Sequence, residues 1–237
     1  MERFEAAKNF YIEDHAVLMA LFTKSAMEKY AGRGEKAILR AIAVYGRERG
    51  LRAAMRCVSD NESLSMENYI LYGEWYDPKG ASKSEIAALA PDYRTNMTVC
   101  GWCETWIEHG LLEYGRVYCE NVDENLVYGF NPELKLVMGK MLSHGEGVCE
   151  FCWTGCRLED ASEFSRKRHE KIPRVTRDFL YHCGHLTSTF RREILVELGL
   201  LKGDEIISSA LEEYEKIFGA EKRSYIANES LQNFLTI

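Results

Sequence analysis

Six of the chain's eight cysteines fall between Cys100 and Cys156, and that density of sulfur is the first chemistry the sequence offers. In a reducing compartment such cysteines act as thiols, nucleophiles or metal ligands rather than disulfides. Cys100-Gly-Trp-Cys103 begins where a strand should give way to a helix. A thiol at a helix N-terminus feels the positive end of the helix dipole, which lowers its pKa, so local physics activates Cys100 most. A redox role for this CxxC lacks the surrounding βαβ pattern. Cys119 and Asp123 are four residues apart and share a helix face. A neighbouring carboxylate raises a thiol's pKa, so the pair makes better sense around a metal, or with Asp123 as general base or substrate anchor. The alternative is a small buried Cys beside a solvated Asp. Period-two geometry puts Cys149 and Phe151 on one strand face, with Glu150 and Cys152 on the other. That argues against a zinc knuckle at Cys149-Glu-Phe-Cys152, which would need a tight turn between its cysteines.

Other polar groups could join this set. His144, ahead of Gly145-Glu146-Gly147, could ligate or shuttle protons, or be an exposed loop residue. His182 and His185 share a helix face around Cys183, which makes half a metal site or ordinary packing. Arg94, and Arg47 and Arg49 after Tyr45-Gly46, could clamp a carboxylate; solvated arginine is the alternative. No P-loop, dinucleotide fingerprint, G-x-S-x-G elbow or H-E-x-x-H motif occurs, which disfavours the common nucleotide-binding and zinc-protease classes.

The elements that must position these residues are α+β: a small antiparallel sheet flanked by N- and C-terminal helical hairpins. With 237 residues, 46% of them apolar, the chain can bury a sizeable core. We read 1–237 as a single domain, with a helical hairpin over 1–60, a mixed cysteine-rich core module over 61–157 and a helical segment over 158–237. Leu18, Leu21, Phe22, Ala26 and Tyr30 recur at helical spacing, Gly32-Arg33-Gly34 breaks that helix, and a second runs from about Glu35 to Cys57. Aromatic-rich Asn68 to Tyr76 reads as a strand closed by the turn Asp77-Pro78-Lys79-Gly80. A second strand follows over Asp92 to Val99. Helices are expected over Gly101 to His109 and Tyr118 to Tyr128, the latter stopped at Asn131-Pro132. Leu134 to Leu142 and Val148 to Thr154 should form a hairpin. Helices over Ile172 to Leu198 and Asp204 to Phe218 end at Gly199 and Gly219.

The formal net charge of −7 excludes a nucleic-acid partner, and no basic cluster is dense enough for a membrane surface. Met1-Glu2-Arg3-Phe4-Glu5 carries charge where a signal peptide needs an apolar stretch, and the run Ala16 to Phe22 is too short to span a bilayer. The expectation is a cytoplasmic protein.

Four runs of the middle third carry a resemblance. They are Cys100-Gly-Trp-Cys-Glu-Thr-Trp-Ile-Glu-His-Gly110, Gly115-Arg-Val-Tyr-Cys119-Glu-Asn-Val-Asp123, Gly129-Phe-Asn-Pro132 and Gly145-Glu-Gly-Val-Cys149-Glu-Phe151. Together they resemble the L-2-amino-thiazoline-4-carboxylic acid hydrolase family over roughly residues 10 to 155. Gly145-x-x-x-Cys149-x-Phe151 is more distantly similar to 4-vinyl-reductase type small-molecule-binding domains, which often dimerise. Met138 and Met141 stand where those domains carry a Glu-x-x-Cys zinc site. The resemblance implies a hydrolase that opens a small cyclic amidine-like ring at a carbon–nitrogen bond. By position it implies Cys100, Cys119, Asp123 and Cys149 as catalytic residues and Asn131 as a substrate-binding one; Arg94 and His144, the latter a departure from the family pattern, are expected to bind substrate from the reading of the residues alone. The expected cofactor is none, or zinc held by Cys100, Cys119 and Cys149 if they ligate a metal. The expected partners are a small-molecule substrate, with a carboxylate as one option, and a second copy in a homodimer. The competing function is a non-catalytic small-molecule-binding or sensor domain with structural or pocket-lining cysteines.

Overall fold

The structure is a computed structural model that describes residues 2–237. It is α+β: among the described residues nine α-helices accompany one four-stranded antiparallel sheet, with helices at both ends of the chain. The chain divides into two compact units, each made of separated segments.

One unit comprises the chain up to Tyr45, Gly101–Asn121 and Asp178–Asn233. It contains α1 (Glu2–Ala7), the first part of α2 (Ile12–Ser59), α4 (Gly101–Glu108), the first part of α5 (Leu112–Phe130), α7 (Phe179–Leu198), α8 (Leu200–Phe218) and α9 (Ala220–Glu229). Helix α2 is interrupted at Ala31 (φ 43°, ψ −129°), one residue before the expected glycine break. Leu18, Phe22, Ala26, Ile38, Ala41, Ile42 and Tyr45 are fully buried, so the periodic apolar stripes do form the core. The helix expected over Ile172 to Leu198 is two helices. Thr176 and Asp178 are extended, and the Asp178 carboxylate accepts the Tyr181 N–H at 2.8 Å, capping α7 anew. Gly199 and Gly219 terminate α7 and α8 as expected; α9 beyond them was not anticipated.

The other unit comprises Gly46–Cys100, Val122–Arg177 and Phe234–Ile237. Besides the second parts of α2 and α5 it holds α3 (Met66–Leu71), α6 (Ala161–Val175) and strands β1 (Lys83–Ala88), β2 (Tyr93–Val99), β3 (Leu136–Met138) and β4 (Cys149–Trp153), in the order β1-β2-β4-β3. The strand expected from Asn68 to Tyr76 is corrected: Met66–Leu71 is helical, because the Ser65 hydroxyl accepts the Asn68 N–H and starts a turn that the aromatic content masked. The Asp77 turn is present, with the Asp77 carboxylate accepting the Lys79 and Ser82 N–H groups. The hairpin of β3 and β4 also forms, and Leu142–His144 make a 3-10 turn in its loop.

Register gives the sheet two chemically different faces. Tyr93 opposes Trp153, Thr95 opposes Phe151 and Met97 opposes Cys149 on one face. That face covers the core built from Ala53, Cys57, Tyr72, Val127, Phe130 and Phe164. Arg94 opposes Cys152 and Asn96 opposes Glu150 on the other, which lines an open groove. The second parts of α2 and α5 cross at backbone contact. A Cβ at Gly50 would stand 2.6 Å from the Phe130 nitrogen, and one at Gly129 would stand 2.8 Å from the Arg47 carbonyl carbon.

Candidate active site

The sheet-bearing unit gathers a carboxylate, a guanidinium, a phenol and a thiol that act on one another. Asp123, on the second part of α5, keeps some accessible surface. Yet the protein around it desolvates it enough to push its carboxyl up to about 6, with Glu124 adding to the rise and the Arg49 charge opposing it. Tyr69, after the first turn of α3, is likewise half-buried; burial and the Asp123 charge hold its hydroxyl protonated while Arg49 opposes. Tyr69 packs against Phe130 and Trp153 (ring centroids 5.6 and 6.0 Å), and Trp153 stacks on Phe151, which gives an aromatic wall.

Arg49 is 2% exposed and lies over the Trp75 ring, 3.9 Å from its centroid. Its Nε donates to Glu74 at 3.5 Å. The same buried carboxylate accepts Arg52 Nε and Nη2 (2.9 and 2.8 Å) and Arg56 Nη1 (2.7 Å). Three guanidinium groups therefore meet at the Glu74 carboxylate, and the Arg49 charge is felt at Asp123 and Tyr69. Arg49, Arg52 and Arg56 stand at three- and four-residue spacing on α2. That spacing was the available signal, but charged residues at helical spacing read as a solvated stripe unless their carboxylate partner can be identified, and Glu74 is remote in sequence.

Cys149 opens β4 on the inner face and is 8% exposed. Burial raises its pKa, the Asp123 and Glu146 charges raise it further, and the Leu142 N–H, donating to Sγ at 3.2 Å, opposes them. Cys57 and Cys156 are pushed up to about 11 by burial, and Cys183 rises well above its ordinary value; these are core thiols. Cys100 is buried between β2 and α4, at the expected strand-to-helix junction. Cys119 is half-buried one helical turn before Asp123 and belongs to the helical unit. Asn131 ties the end of α5 to the chain before α3: its Nδ2 donates to the Leu64 carbonyl and its Oδ1 accepts the Glu133 N–H. Arg94 lies on the outer sheet face, opposite to that of Cys149, and His144 is exposed in the hairpin loop. Thus Asp123, Cys149 and Arg49 come together electrostatically within one unit, whereas Asn131 braces the chain and Arg94 faces elsewhere.

The helical unit contains the buried imidazoles. His15, His182 and His185 are fully buried. The Trp102 indole N–H, which can only donate, is 3.0 Å from His15 Nδ1, so His15 accepts there and its Nε2–H donates to the Tyr45 hydroxyl at 3.0 Å. The His185 ring packs on Tyr45 at 4.6 Å. Among the described residues no group of three or more His, Cys, Asp or Glu side chains is placed to hold a metal ion. The zinc alternative for Cys100, Cys119 and Cys149 thus finds no support. Nor is any helix among them long and apolar enough to cross a membrane.

The sequence model of the L-2-amino-thiazoline-4-carboxylic acid hydrolase family matches residues 11–153. No curated protein and no solved structure matches the chain.

Proposed function

The chain belongs to this hydrolase family, and on that premise we propose that it hydrolyses a small cyclic amidine-like ring of the amino-thiazoline type, bearing a carboxylate, at a carbon–nitrogen bond. Asp123 is the general base: it removes a proton as water adds to the C=N carbon and returns it to the ring nitrogen as the ring C–N bond of the adduct breaks. Arg49, oriented by Glu74 and the Trp75 face, receives the substrate carboxylate. Tyr69, kept protonated, donates a hydrogen bond to charge that develops during addition. Cys149 stands beside Asp123 as a neutral thiol. Cys100 is proposed as a further member of the reaction site, to be tested by substitution with alanine.

The observation that carries this reading is a desolvated carboxyl that still has accessible surface, with a pKa of about 6 beside a buried arginine. A base poised there is largely ionised at neutral pH and still accepts a proton in the transition state. The experiment is a turnover assay on 2-amino-thiazoline-4-carboxylate and a panel of cyclic amidines, with substrate binding measured alongside. The expected result is ring opening that falls by roughly 10²–10⁴-fold in Asp123→Asn while binding is kept. Binding without turnover in the unaltered protein would overturn the enzyme and leave a small-molecule-binding module.

A further inference from the structure

Within the sheet-bearing unit, one side chain ties the end of α5 to the start of α3. Asn131 directly follows Phe130, the last residue of α5, and its own N–H still donates to the Val127 carbonyl at 3.0 Å. Its Oδ1 accepts the Glu133 N–H at 3.0 Å, and its Nδ2 donates to the Leu64 carbonyl at 2.9 Å. An N–H can only donate and a carbonyl can only accept, so these two partners fix the orientation of the amide. The bond to Leu64 spans 67 positions of sequence, which makes it a tie between elements rather than a local turn. Leu64 precedes Ser65, the cap of α3, whose carbonyl accepts the Tyr69 N–H at 2.9 Å. The Tyr69 ring lies against Phe130 at 5.6 Å and against Trp153 of β4 at 6.0 Å. Trp153 is held in turn by its indole N–H, which donates to Thr95 Oγ1 at 3.2 Å. Phe130 and Asp123 are seven residues apart on α5, two turns along the same face.

We infer that Asn131 is a positioning residue for the proposed reaction: by holding Leu64 it seats Tyr69 of α3 on the face of α5 that carries Asp123. The inference rests on the reading of Asp123 as the base. The charged and titratable groups that interact with that carboxyl are Arg49 of α2, Tyr69 of α3, Glu124 of α5 and Cys149 of β4. Of these, Tyr69 belongs to the element that Asn131 ties down. Seated on α5, its ring keeps water from the carboxyl. When α3 is released, water returns and the carboxyl pKa falls from about 6 toward the ordinary value of 3.8.

The test follows the Asp123 side-chain carboxyl by carbon-13 NMR through a pH titration of the full chain, with the Asp123→Asn spectrum identifying its signal. Turnover plays no part. Asn131→Ala removes both amide links. Asn131→Asp keeps the acceptor for the Glu133 N–H and loses the donor to Leu64, an isosteric change at a half-buried position that keeps the test open if the alanine variant fails to fold. Both variants should lower the Asp123 pKa by about one unit or more. The negative charge added by Asn131→Asp would by itself raise that pKa, so a fall reports the released helix. A carboxyl that still titrates near 6 in the folded variants overturns the inference alone, even if Tm falls. So does a raised KM with that pKa intact, which is what a direct contact between Asn131 and substrate would give. A carboxyl that titrates near 3.8 in the unaltered chain overturns the reading of Asp123 as the base, and this inference with it.

Discussion

Asp123 sets opposite demands on activity and stability. Its folded pKa of about 6 lies above the ordinary carboxylate value of 3.8. Between those values the folded chain binds more protons than the unfolded one, so stability falls as pH rises through the window. A raised carboxyl of this size corresponds to about 3 kcal/mol, present below pH 4 and lost above pH 6. Asp123→Asn should therefore leave urea stability unchanged near pH 4 and raise it near pH 8, while turnover falls by roughly 10²–10⁴-fold. An equal change at both pH values would refute the desolvation argument. At Arg49 the prediction concerns recognition. Arg49→Lys keeps the charge but loses the planar fork stacked on Trp75. KM for a carboxylate-bearing substrate should rise about tenfold or more, with little change for its descarboxy analogue; equal effects on both would show that Arg49 does not hold the carboxylate.

At the scale of elements, the second parts of α2 and α5 meet where only glycine fits. Gly50→Ala would push a methyl into the backbone of Gly129 and Phe130. Overpacking of this kind costs about 1–3 kcal/mol, measurable as a lower urea midpoint. The same crossing fixes the offset between Arg49 and Asp123, so the variant should also lose part of its activity. The helices were legible because Ile38, Ala41, Ile42 and Tyr45 keep one buried stripe, and β2 and β4 because Cys149 and Phe151 alternate with Glu150 and Cys152. Strand β1 was not legible: its residues face water for nearly its whole length, so no apolar alternation marks it. Asn68 to Tyr76 misled because aromatic residues favour strands on average, whereas one hydroxyl at Ser65 decides the local conformation. Asp123 and Cys149 stood out by type and spacing. The arginine stripe on α2 did not reveal its burial, because burial depends on Glu74, which lies far along the chain.

At the scale of the whole molecule, the segments of the two units alternate, with boundaries at 45/46, 100/101, 121/122, 177/178 and 233/234. The family match ends at residue 153, but the core of the helical unit continues in α7, where Leu186, Phe190 and Ile194 are fully buried. A fragment ending at Arg177 contains the whole match and lacks that helix. It should show no cooperative thermal transition by circular dichroism; a sharp transition would mean the C-terminal helices are dispensable. Charge distribution gives a second prediction. Glu74 neutralises part of a buried cluster of three arginines, so Glu74→Gln should destabilise the chain by about 3–5 kcal/mol in urea, since unpaired buried cations remain.

The sheet also acts as a partition between two sulfurs only three positions apart. Cys149 lies against the interior and Cys152, beside Arg94, borders the open groove. They have no common neighbourhood in which to pair, and an alkylating reagent meets them in a fixed order. Brief exposure to iodoacetamide should mark Cys152 and spare Cys149, until the strands separate and the two become equivalent.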